Sequence, residues 1–280
     1  ERTHATWALR DIGKDPLGFD VVHVHTPCAV EMARLCPYPV VCTMHHDADK
    51  ELTDLYQRAP RVRLVAISRS QARREKAKVS HVVHHGLDPA RFHPKDDQGY
   101  LLYLGRYERV KGVTHAIEVA ERANLPLVMA GRPHDQEYYD RQVVPLIQKH
   151  GVLEVGPIGG ERKAMLLARA RALLFPVEWD EPFGLVMIEA MLSGVPVLAL
   201  ARGAVPEVIE DGRTGVLCDD PTEMVAAARI AETFFDRKAI RRIAEERWSS
   251  DRMARDYLRI YRSAIEDRAA DDAQEAAAEG

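Results

Sequence analysis

ALLFPVEWDEPFGLVMIEAMLSGVPVLAL fills residues 172–200 and reads as a strand, a loop, a helix and a second strand. The apolar runs 172–176 and 196–200 have the length of strands, and the stretch between them is long enough for two turns of helix. In that helix LVMI precedes Glu189 and AML follows it, so it is apolar on nearly every side and is expected to be buried. Strands joined through a helix run parallel, and a parallel sheet needs both faces covered.

The same alternation extends outward in both directions. Strands are expected at 20–25, 39–45, 63–67 and 81–85, then at 100–105, 125–130, 152–155, 172–176, 196–200 and 215–218. Helical patterns lie at 3–12, 111–124, 136–150 and 161–170. The fold class is therefore α/β. Residues 86–99, GLDPARFHPKDDQG, are rich in Pro, Asp and Gly and lack periodicity. They divide the chain into an N-terminal domain over 1–92, a linker at 93–99 and a six-stranded domain over 100–250. A further helix begins near Ser250. Its Met253, Tyr257, Ile260, Tyr261 and Ile265 recur at helical spacing, so the part over 251–268 is expected to pack back toward the N-terminal domain. The tail 269–280 has no apolar face and is expected to fray or be disordered.

A doubly wound domain opens with a strand and a glycine-rich turn. This chain opens with the helix at 3–12, so its N-terminal domain is expected to be incomplete, lacking about 80 residues of a usual domain.

Composition narrows the partners. The 280 residues are 46% hydrophobic and carry a net charge of −4, with both signs interspersed. No basic stripe suited to a nucleic-acid backbone stands out. No apolar run reaches the roughly 18 residues needed to cross a bilayer, and there is no secretory signal. Peripheral membrane contact is compatible with this. Cys28, Cys36, Cys42 and Cys218 form no C-x-x-C pair and read as reduced thiols of a cytoplasmic protein.

Two segments carry chemistry. Gly105-Arg106-Tyr107-Glu108-Arg109-Val110-Lys111-Gly112 follows a strand and precedes a helix. Its glycines fit neither dinucleotide nor P-loop spacing. It does set Arg106 at the strand's C-terminal end and Lys111 at the expected helix start, where cations suit a diphosphate. Two solvated loop charges are the plain alternative. The second segment is 181–189, EPFGLVMIE. Gly184 permits close backbone approach, and the amides of Gly184 and Leu185 open the helix toward an anion. Glu189 is a carboxylate in an apolar helix and needs a donor, either a ribose with two hydroxyls or an arginine in a structural salt bridge.

The E-x7-E pattern of Glu181 and Glu189, the G-R-x4-K-G pattern of 105–112 and the run GVPVLALARGAVPEVIEDGRTGVL at 194–217 resemble the retaining glycosyltransferases of family 4. The likeness runs from Asp20 to about Arg262. It implies a GT-B fold, with two Rossmann-like domains facing across a cleft, and transfer of a sugar from a nucleotide-diphosphate sugar. The stretch DEPFGLVMIEAM looks most like bacterial members that use nucleotide-activated glucose or similar sugars, so a UDP-glucose-like donor is expected. By the same resemblance Arg106 and Lys111 neutralise the diphosphate, and the amides of Gly184 and Leu185 complete the phosphate site. Glu181 binds donor-sugar hydroxyls, Glu189 holds the ribose, and backbone near Ile158 meets the base. His45 of VVCTMHHD faces the donor sugar, with His46 a second candidate; read alone, His45 is a strand-end histidine with a backbone partner. Ile67-Ser68 and Gly86-Leu87-Asp88 match architectural landmarks. The family's N-terminal glycine-rich loop has no counterpart here.

No cofactor is implied beyond the nucleotide sugar as co-substrate. The expected partners are that donor and an acceptor that is a small molecule, glycan or lipid. Nine histidines lie in the first 93 residues, and His23 and His25 share a strand face, yet no ligand set with metal spacing surrounds them. Asp47-Ala48-Asp49 is formally a D-x-D, but it sits in the domain away from the donor, so metal-independent transfer is expected. Two other readings fit the same fold: a sugar-nucleotide epimerase or phosphorylase, and a non-catalytic nucleotide-sugar-binding module.

Overall fold

The structure is a computed structural model that describes residues 2–15, 18–47 and 49–279. It divides into two compact units, Glu1–His84 with Met253–Gly280, and His85–Arg252.

In the first unit β1 (Val22–Val24), β2 (Val40–Met44), β3 (Arg63–Ala66) and β4 (Val79–Val82) form a parallel sheet in that order. Side chains alternate across it, as the two-residue period of a strand requires. Val40, Cys42 and Met44 of β2 and Leu64 and Ala66 of β3 share one core with Leu9, Val30 and Tyr56. These last three come from the helices Arg2–Ile12, Pro27–Met32 and Lys50–Gln57. Val41 and Val65 belong to a second core with Tyr257, Ile260 and Ala264 of the helix Ser250–Glu279. Covering both faces is what allows β2 to be buried at every position.

In the second unit β5 (Leu101–Leu104), β6 (Leu127–Ala130), β7 (Leu153–Glu154), β8 (Ala172–Phe175), β9 (Val197–Leu200) and β10 (Gly215–Cys218) form a parallel sheet ordered β10-β9-β8-β5-β6-β7. The chain builds outward from β5 to β7, then returns to the other side of β5 and builds outward again. The order therefore reverses between β5 and β8. A crevice opens at the carboxyl ends of two such strands because their helices leave to opposite faces.

The ten expected strands are present, with differences in detail. β4 begins two residues earlier than expected and ends at Val82. The helix expected at 111–124 is in two pieces, a 3-10 turn Arg109–Lys111 and a helix Val113–Ala123, separated by Gly112 at φ +66. Lys111 thus ends a tight turn and does not open the helix. The pattern at 136–150 contains a π turn at Tyr139–Val143. Pro145, in the first turn of Val144–His150, lacks an N–H and crowds the carbonyl four residues back, which widens the turn. The tail continues as helix to Glu279, because its Ala, Glu and Gln are strong helix formers.

Residues 93–99, expected as a linker, are stitched into the second unit. Arg171 Nε lies 3.2 Å from Asp97 Oδ2, and Gln98 N donates to Arg169 O at 2.9 Å. Just upstream, Arg241 donates to the carbonyls of Pro89 and Phe92, and Leu87 pairs with the backbone of Trp248 and Ser250. A segment without periodicity gives no sign of this, since arginine side chains from distant helices satisfy its backbone.

Candidate active site

A cleft of about 230 Å³ lies at the carboxyl ends of β5 and β8, where the strand order reverses. Arg106, Lys111, Glu181, Gly184 and Leu185 line it, together with Tyr103 and Phe175. A larger surface groove of about 450 Å³ runs along β4 in the first unit, beside Arg69, Arg73 and His81. Of the two, the smaller cleft combines cations, a carboxylate and a helix start, which makes it the candidate site.

Backbone contacts shape the cleft. Tyr103 is buried, and its hydroxyl donates to the carbonyl of Arg106 at 2.9 Å, holding the turn after β5. Gly112 presses that turn onto β8, since a Cβ there would lie 1.8 Å from the carbonyl oxygen of Pro176. Gly184, at φ +81, starts the helix Leu185–Leu192. Gly184, Leu185 and Val186, at the start of that helix, line the cleft, where the first helical amides lack the carbonyl a preceding turn would supply. Gly203 packs the next loop against the carboxylate loop, its Cβ position falling 2.4 Å from Glu181 N, and Ala204 N donates to Glu181 O at 2.8 Å.

The charges are paired. Glu181 is buried, and its Oε2 accepts from Lys111 Nζ at 2.6 Å and from Trp179 Nε1 at 3.0 Å. Arg106 Nη2 lies 3.4 Å from Glu108 Oε2 at the rim. Glu189 has its donor in Lys163 of the helix Gly160–Arg169, at 2.5 Å, with the glutamate side chain 14% exposed. The salt-bridge alternative named an arginine; a lysine fills that place.

Two expected residues of the second unit stand outside the cleft lining. Glu189 lies one helical turn beyond it, and Ile158 is in the half-buried loop before Gly160–Arg169. That loop is tied to the sheet by Gly131 N donating to Gly156 O at 3.0 Å.

His45 belongs to the first unit, at the end of β2. Its Nε2 is 2.9 Å from His25 Nδ1, and the two rings stack. His23 bridges the sheet to the C-terminal helix, with Nδ1 2.7 Å from the Tyr261 hydroxyl and Nε2 2.8 Å from Thr43 Oγ1. Thr43 in turn lies 2.6 Å from the Tyr257 hydroxyl. Gln71 holds the backbone under His45. Its Oε1 accepts from Ile67 N, and its Nε2 donates to Met44 O at 3.2 Å and to His46 O at 2.9 Å. Of the D-x-D, Asp47 pairs with Arg74 at 2.8 Å, and Asp49 caps the helix Lys50–Gln57 by accepting from Leu52 N; Ala48 lies outside the described residues. The four cysteines are free thiols, and burial pushes Cys42 and Cys218 up to about 12.

Burial, then the neighbouring His25 and His45, lowers His23 from 6.5 to about 4, and burial lowers His25 and His45 as well. A neutral ring donates from one nitrogen and accepts at the other, and protonation removes the acceptor. Because the folded-state value is depressed, the stabilisation is complete above about pH 6.5 and is lost as pH falls toward 4. The melting temperature of the protein should therefore fall over that window. His23→Gln should flatten the dependence, and an unchanged slope in that variant would rule out His23 as its source.

Sequence reasoning missed Trp179, Lys163, Gln71 and Gly203. Trp179, two residues before Glu181, carried the best hint, since an indole next to a site carboxylate is a ready donor.

The parallel sheets and the cleft at the strand reversal define an α/β protein with the fold of the GT-B glycosyltransferases. The family model "Glycosyl transferases group 1" matches residues 88–247, and the chain belongs to that family. It is 32% identical over 187 residues to a glycogen synthase of Mycobacterium tuberculosis, covering 61% of this chain and 44% of that one. The crystal structure of AviGT4, a glycosyltransferase involved in avilamycin A biosynthesis, is similar with a TM-score of 0.74 at 26% identity, over 95% of this chain and 78% of the other. Anabaena HepE in complex with UDP and glucose shares the fold with a TM-score of 0.78 at 17% identity, over 94% and 81%. The chain spans about half the length of the curated relatives it matches, 44% to 47% of the first of them.

Proposed function

We propose that the protein is a retaining glycosyltransferase that moves a sugar from a UDP-glucose-like nucleotide sugar to an acceptor small molecule, glycan or lipid in the cytoplasm. The observation that carries this reading is the cleft at the β5/β8 reversal, where Arg106, Lys111, the first amides of Leu185–Leu192 and Glu181 converge. Breaking the anomeric bond puts positive charge on the sugar ring and negative charge on the leaving phosphate. Arg106, Lys111 and the helix amides stabilise the second charge. Glu181 holds sugar hydroxyls, Glu189 the ribose, and backbone near Ile158 the base. In this reading His45 contacts the donor sugar. The leaving phosphate helps to deprotonate the acceptor on the same face, which retains the anomeric configuration. Two protein cations take the part that a divalent ion plays elsewhere, so no metal or other cofactor is required.

Calorimetry with UDP tests the site. Arg106→Ala and Lys111→Ala should each weaken binding by about 1.5–3 kcal/mol, the value of a charge-assisted hydrogen bond. The parent titration should be unchanged by a chelator. Unaltered affinity in both variants removes the diphosphate from this cleft, and a strict need for Mn²⁺ or Mg²⁺ removes metal independence.

A further inference from the structure

Trp179 closes a triangle with Lys111 and Glu181. Its indole Nε1–H donates to Glu181 Oε2 at 3.0 Å, and the same oxygen accepts from Lys111 Nζ at 2.6 Å. The ammonium of Lys111 lies 4.5 Å from the centroid of the Trp179 ring, within cation–π range. Both donors use one carboxylate oxygen, and Glu181 Oε1 accepts no hydrogen bond from the described residues. The cation proposed for the diphosphate is therefore engaged with the carboxylate proposed for the sugar.

We infer that Trp179 is a positioning residue that couples the diphosphate half of the site to its sugar half; this rests on the donor site proposed above. A diphosphate carries more negative charge than one carboxylate and draws Lys111 off Glu181. The ring face of Trp179 gives the ammonium a favourable surface beside both positions. The indole N–H then remains as the donor that fixes the orientation of the buried Glu181, leaving Oε1 open to a sugar hydroxyl. The nucleoside diphosphate thus prepares the carboxylate for the sugar that arrives with it.

Trp179→Phe keeps a ring face and removes the N–H. In calorimetry it should bind UDP within about 2-fold of the parent and UDP-glucose about 10-fold more weakly, as expected for one lost hydrogen bond to a charged group. UDP should also change the tryptophan emission of the unmutated chain, which has three tryptophans, and that change should vanish in Trp179→Phe. A purely structural Trp179 predicts equal losses for both ligands, or none, and either result overturns the assignment. So does an unmutated chain that binds UDP with no change in emission, a measurement that needs no variant to fold. If the unmutated chain binds neither UDP nor UDP-glucose, the donor site itself is wrong; if it binds both and Trp179→Phe matches it, only the role of Trp179 falls.

Discussion

Glu189→Ala loses about 1.5–3 kcal/mol of binding to UDP and to UDP-glucose alike, because both ligands carry the ribose. The side chain is 14% exposed and held at 2.5 Å by Lys163, which fixes its orientation. Glu181→Ala separates the ligands. It spares UDP, since Glu181 competes with the diphosphate for Lys111, and it weakens UDP-glucose. Lys163→Met is the control for the plain alternative. If Glu189 is only half of a structural ion pair, Lys163→Met and Glu189→Ala lower the melting temperature together and leave both titrations alone. Equal loss of UDP in Glu181→Ala would show that the sugar and phosphate subsites are misplaced.

The largest stability effect is expected at Gly112. Its φ of +66 disfavours any side chain, and a Cβ would fall 1.8 Å from the Pro176 carbonyl oxygen, which is backbone and cannot swing away. Gly112→Ala should cost about 3 kcal/mol or more, from left-handed strain plus forced separation of the β5 turn from β8. UDP binding should go with it, as Lys111 is the preceding residue. Gly151 provides the comparison. Its φ is +64, but nothing lies within 4 Å of its Cβ position, so Gly151→Ala should cost about 1 kcal/mol from backbone strain alone. Urea unfolding of the two variants checks the contrast, and similar losses in both would mean that close approach to Pro176 does not hold the turn.

Most of the framework was legible because strands and buried helices write themselves locally. Val, Leu and Ile runs marked all ten strands, and the apolar flanks of Glu189 marked a buried helix. Arg106 and Lys111 could be placed near a strand end for the same reason. What was not legible is set by contacts distant in sequence. The partner of Glu189 is 26 residues away, on a helix whose own pattern says only that one side is polar. The break at Gly112 depends on Pro176, and the satisfaction of 85–99 depends on arginines beyond 165. The strand order, and with it the reversal that makes the cleft, follows from pairing and not from any one segment. Trp179 was passed over because it reads as one more aromatic in a loop until its indole is seen on Glu181.

Gln71 bears on how this protein can be altered. By gripping the carbonyls of Met44 and His46 from a different helix, it fixes the path of the chain around His45 independently of which side chains that short turn carries. The backbone there is therefore held from outside the turn. A library randomised at the exposed His46 would sample new chemistry on an unchanged backbone, whereas randomising Gln71 would mix changes of chemistry with changes of shape. The place to diversify lies next to the residue that must be left alone.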